Sequence, residues 1–152
     1  MKAELRKVKI ARSLSEETTA FTADLWVDGK HIGYVKNDGQ GGANFIDHRY
    51  DGKGLDTRDD VTAFEAWCEA LPHSWCHHRA SECADTYISD LLDQFQWDRQ
   101  LKRLCKGKAV IVLQGDPDGT VRTYNNPYTP EFAAYIRANE PKLAEIVNER
   151  FL

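Results

Sequence analysis

A chain of 152 residues, 41% apolar and 29% charged, can bury a self-sufficient hydrophobic core. Its formal charge of −4, from 20 basic and 24 acidic residues, argues against a general phosphate-backbone binder and is too mild for a DNA mimic. No apolar run approaches the roughly 18 residues of a membrane-spanning helix, and residues 1–10 lack the apolar core of a signal peptide, so a single cytoplasmic domain over residues 1–152 is expected, without a membrane partner.

The first third reads as strands. Leu5, Val8 and Ile10 lie in a short extended segment. Phe21, Ala23, Leu25 and Val27 alternate with Thr22, Asp24, Trp26 and Asp28, the period of a half-buried strand. Asp28-Gly29 then predicts a type I′ hairpin turn, and His31, Ile32, Tyr34 and Val35 the return strand. Residues 37–44 form a loop with three glycines in four positions, Gly39, Gly41 and Gly42, and residues 44–46 resume a short strand. Residues 47–60 read as exposed loop.

Helices follow. The spacing of Val61, Phe64, Cys68 and Leu71 is one helical stripe, capped by Asp59 or Asp60 and ended by Pro72. A second helix starts at Ser81 as N-cap and covers the segment up to residue 106. Its apolar residues fall on two faces: Ile88, Leu91, Leu92 and Phe95 on one, Trp97, Leu101, Leu104 and Cys105 nearly opposite. One core cannot satisfy both faces of a straight helix. The helix is therefore expected to break near Gln96; a continuous helix would turn its second face to another chain, most simply in a homodimer. Ala109 to Leu113 is a continuous apolar strand expected at the centre of the sheet. Asp116-Pro117-Asp118-Gly119 turns the chain into a strand ending at Tyr124. Thr129-Pro130-Glu131 opens a last helical region containing Phe132, Ile136, Leu143, Ile146 and Val147, kinked or divided by Pro141. The fold class is α+β, with one largely antiparallel sheet of about five to six strands packed with three or more helices.

Chemistry-bearing residues concentrate at Cys68, His73, Cys76, His77, His78 and Cys83. Zinc takes four thiolate or imidazole ligands, and the spacings of His73 to Cys76 and His77 point side chains the same way on a helix. There is no C-x-x-C knuckle, so the plainer reading is a small buried thiol or two with exposed histidines. If zinc binds, the ligands are His73, Cys76, His77 and Cys83; otherwise no cofactor is expected. A reducing cytosol disfavours disulfides. The glycine loop could form an anion nest, but it lacks Gly-Lys-Ser/Thr and leads into no helix, so a turn between strands is the plainer reading and close approach to a partner's backbone the expected functional use. No nucleophile elbow, H-E-x-x-H or deaminase signature occurs. Trp26 lies on the strand face opposite Leu25 and Val27, either as an interface anchor or beneath a second layer of helices.

The run Ala11-Arg12-Ser13-Leu14-Ser15-Glu16-Glu17-Thr18-Thr19-Ala20-Phe21, with Asp28-Gly29-Lys30 and Lys36-Asn37-Asp38-Gly39-Gln40-Gly41-Gly42, resembles small uncharacterised proteins of phages and other mobile elements. The resemblance covers mainly residues 8–46 and brings no catalytic residue with it. It implies a host-takeover or anti-defence role exercised by binding. The expectation is thus a cytoplasmic protein-binding module, a regulator or inhibitor whose partner is a host or defence-system protein rather than nucleic acid. The partner-binding residues would be Trp26, Tyr34, Asn37, Asp38, Gly39, Gly41 and Gly42. One alternative is a small enzyme or nucleotide-ligand binder with a site between residues 39–42 and 73–83. A zinc-stabilised nucleic-acid accessory protein is the other.

Overall fold

Asp28 and Gly29 take φ values of 50° and 79°, the pair of positive angles a type I′ turn demands, and the predicted hairpin closes around them. In the computed structural model, which describes residues 1–72 and 80–152, the flanking strands are β2 (Phe21–Val27) and β3 (Lys30–Asn37). On either side pair β1 (Ala3–Ile10) and β4 (Phe45–His48), giving an antiparallel sheet of order β1-β2-β3-β4.

The apolar residues of β1 have the wrong spacing for a regular strand. Leu5 is odd and Val8 and Ile10 are even, so strict alternation would place them on opposite faces. An extra residue resolves the conflict. Between the pairs Arg6–Asp24 and Lys9–Thr22 the register slips, and Lys7 sits there at φ 51°. This bulge resets the phase, and Leu5, Val8 and Ile10 all pack on the core.

That core lies between the sheet and two helices. From the sheet come Phe21, Ala23, Leu25, Val27, Ile32 and Val35; from α1 (Arg58–Glu69) come Val61, Phe64 and Cys68. From α2 (Ala80–Cys105) come Cys83, Ala84, Ile88 and Leu92. The cap position of α1 is Thr57 rather than Asp59 or Asp60, which lie in its first turn. Thr57 is buried, and its hydroxyl serves the sheet: it donates to the Ile32 carbonyl at 2.5 Å and accepts from the Arg49 amide at 2.7 Å.

The second half holds another sheet. Strand β5 (Ala109–Leu113) lies between β6 (Arg122–Tyr124) and β7 (Leu143–Ile146), antiparallel to both. Helix α3 (Pro130–Asn139) starts as the sequence predicts, with Pro130 in the first turn and the Thr129 hydroxyl accepting from the Phe132 amide at 3.0 Å. Ala109 and Ile111 pack on Ala133 and Ile136 of α3, together with Ile146. Val110, from the other face, packs with Leu101 of α2 and Val147. Buried Asn148 ties this layer together: its carbonyl accepts from the Val110 amide at 2.8 Å, and its amide donates to the carbonyls of Cys105 and Lys108.

The architecture is α+β, as expected, but among the described residues seven strands form two antiparallel sheets of four and three rather than one sheet of five to six. The chain divides into two compact units, Met1–Asp93 and Gln94–Leu152. Helix α2 is continuous across that division, which corrects the expected break near Gln96. Its two apolar faces serve two cores of one chain, Ile88 and Leu92 in the first unit and Leu101 in the second, so the second face requires no dimer. The region after Pro141 is also corrected: residues 143–146 are strand β7, because they supply β5 with its second hydrogen-bonded neighbour.

Candidate functional site

The face of the four-stranded sheet opposite the helices is built by the polar half of the alternation. Register pairs its residues into three rows across the strands. Glu4 and His31 flank Trp26; Arg6, Asp24, Tyr34 and Asp47 form the second row; Lys9, Thr22, Lys36 and Phe45 form the third. Side chains in such rows are direct neighbours, and their contacts bear this out. Trp26 stacks on His31 with ring centroids 5.3 Å apart and planes 9° apart, and His31 meets Tyr34 edge-on at 5.0 Å. The Arg6 guanidinium lies 3.8 Å from the Trp26 ring centroid, and Lys36 lies over Phe45. Tyr34 is 47% exposed and Phe45 56%. A cavity of about 430 Å³ opens on this face, lined by Lys7, Lys9, Asp24, Tyr34, Phe45 and Asp47 among others. Trp26 is therefore covered by Arg6 and His31 and belongs to no second core layer among the described residues. Its indole N–H is shielded from solvent and has no acceptor among them.

The glycine loop is a different environment. The backbone amides of Glu16, Glu17 and Thr18 converge on the Gly39 carbonyl at 2.9, 3.0 and 3.4 Å. Asn37 accepts from the Thr18 hydroxyl at 2.7 Å and from the Gly39 amide at 2.8 Å, and donates to the Gly42 carbonyl and to Asn44. A Cβ on Gly39 would lie 2.2 Å from the Leu14 carbonyl oxygen. The close backbone approach that these glycines permit is thus to the chain's own 11–20 segment. Asp38 lines an adjoining cavity with Leu14 and Gln40, which shares Lys9, Thr22 and Lys36 with the first. Trp26 and Tyr34 share one face, whereas Asn37, Gly39 and Gly41 are engaged in holding two loops together. Register adds Arg6, Lys9, Lys36 and Phe45, which single-strand patterns did not single out.

Of the cysteine and histidine cluster, His73, Cys76, His77 and His78 lie outside the described residues. Cys83 is buried and disulfide-bonded, contrary to the expectation of reduced thiols, and in that state supplies no thiolate to a metal. Among the described residues no three His, Cys, Asp or Glu side chains converge as a metal site, so the zinc alternative rests on the segment outside them. Cys68 and Cys105 are free. Burial pushes the Cys68 thiol up to about 12, and burial also raises that of Cys105, which is only partly covered. A disulfide-exchange reagent at pH 8 is expected to label Cys105 first and Cys68 only as the first unit opens. Labelling of Cys68 at the same rate in the folded protein would show that its core is not closed.

The other cavity near the loop, about 560 Å³, is lined by Thr18, Asn37, Asn44, Asp85, Ser89 and Asp93, among others. Asp85 is already committed there: its carboxylate accepts from the Asn44 amide at 2.7 Å, while the Asn44 side chain donates to the Asp85 carbonyl and Ser89. No helix of the described residues is long and apolar enough to cross a membrane. No family model matches the chain, and neither does any curated protein or solved structure.

Proposed function

We propose that this chain is a protein-binding module that docks through the outer face of its four-stranded sheet, acting as a regulator or inhibitor of a host or defence protein. The observation that carries the reading is the cluster of Arg6, Trp26, His31 and Tyr34, in mutual contact on the sheet face opposite the one that packs on α1 and α2. Trp, Tyr and Arg are the residue types that dominate binding energy at interfaces, because they bury large rigid surfaces and still offer a hydrogen bond. The resemblance to proteins of phages and mobile elements supplies the class of partner.

The test is affinity capture from a host lysate, identification of the retained protein, and reconstitution from purified components. Tyr34→Ala and Trp26→Ala are each expected to weaken the reconstituted complex by about 2 kcal/mol, roughly 30-fold. Circular dichroism is the check that both variants remain folded. A complex indifferent to both substitutions would move the interface elsewhere.

A further inference from the structure

The charges on the sheet face are not all spent within the fold. Arg6 pairs with Glu4 at 2.5 Å, and Asp24 is approached by Lys7 at 3.9 Å and His31 at 3.8 Å. Lys9, Lys36 and Asp47 form no ion pair among the described residues. Register fixes where these three stand. Lys9 and Lys36 flank Thr22 in one cross-strand row, so their backbones are about 10 Å apart, two inter-strand spacings. Two long cationic side chains and a hydroxyl therefore converge above the sheet, with no carboxylate in their row. Asp47 stands in the next row beside Tyr34, two residues along β4 from Phe45 and so about 7 Å away. Phe45 and Tyr34, the two most exposed rings of the face, border both rows.

We propose that this surface takes an acidic segment of a partner protein. A Glu or Asp carboxylate seats between Lys9 and Lys36 over the Thr22 hydroxyl, an apolar side chain lies against Tyr34 and Phe45, and Asp47 selects a Lys or Arg in the adjoining position. The proposal rests on the protein-binding reading and names its chemistry. The alternating pattern is what distinguishes a protein segment from nucleic acid. A phosphate backbone is one continuous anion and would have to pass Asp47. A polypeptide can place an anion and a cation 7 Å apart.

The probe is a synthetic peptide containing Glu-Glu-Phe-Lys, titrated into the full chain and followed by amide chemical shifts. Perturbations are expected at Lys9, Thr22, Tyr34, Lys36, Phe45 and Asp47, weakening with added salt. The double variant Lys9→Gln with Lys36→Gln is expected to bind the peptide roughly five- to tenfold more weakly; both side chains are exposed, so the fold should be unaffected. No shift at these residues with millimolar peptide overturns the proposal, as does equal binding of the charge-swapped Lys-Lys-Phe-Glu peptide. Tighter binding of an oligothymidylate at the same residues overturns it in favour of nucleic acid. With the reconstituted partner, a complex lost on Trp26→Ala but untouched by the lysine substitutions refutes the acidic segment and leaves the docking face standing. Indifference to both refutes both.

Discussion

Val110→Asp is expected to unfold the C-terminal unit. Val110 is fully buried in β5, packed on Leu101 and Val147, and its amide is held by the Asn148 side chain. Its strand has a hydrogen-bonded neighbour on each side and a packed layer on each face, so the new carboxylate has no route to water. An unpaired carboxylate there costs several kcal/mol, and the lost valine burial adds about 2 kcal/mol. A domain is stable by only about 5–15 kcal/mol in total. The measurement is thermal melting followed by far-UV circular dichroism, with Val110→Ala as the milder control. An unchanged midpoint for the aspartate variant would mean that β5 is an exposed strand.

Gly39→Ala is expected to cost about 3–4 kcal/mol, a large penalty for one methyl group in a loop. Part of this is conformational: at φ 80° an L-residue pays about 1 kcal/mol or more. The rest is spatial. The added carbon would lie 2.2 Å from the Leu14 carbonyl oxygen and 2.9 Å from the Ala20 methyl, so the 11–20 segment must withdraw. Withdrawal strains the three amides that donate to the Gly39 carbonyl, each contributing about 1 kcal/mol. Gly42→Ala is the matched control, because its Cβ would point into open space without a positive φ, and it should be near neutral. Urea midpoints compare the two. Equal midpoints would show that the loop yields freely and that Gly39 is not needed for the fold.

The parts of this fold that were legible in the sequence are those set by local chemistry. The Asp28-Gly29 turn and the alternation of β2 specify the hairpin, and Thr129-Pro130 specifies the start of α3. The apolar run of β5 marks it as a central strand, which its position between β6 and β7 bears out. What escaped depends on distant residues. The segment Leu143–Ile146 is too short for its period to separate strand from helix, and only pairing with β5, about 30 residues earlier in the chain, decides it. The two faces of α2 were visible, yet a second core had to be found before a continuous helix made sense. The candidate site divides the same way. Trp26 and Tyr34 follow from alternation within one strand. Lys9 and Lys36 become neighbours of Thr22 only through the register between strands, and the Lys7 bulge sets part of that register.

That bulge also bears on how copies of the chain behave when crowded. Strand β1 is an edge, and an edge strand offers a ladder of free N–H and C=O groups on which another chain can template itself. Here the ladder is interrupted near its middle by a residue in left-handed conformation, whose side chain is 82% exposed and charged. An incoming strand would meet mismatched hydrogen-bonding groups there. The same extra residue that turns Leu5, Val8 and Ile10 inward therefore works against edge-to-edge growth on the β1 side of the sheet.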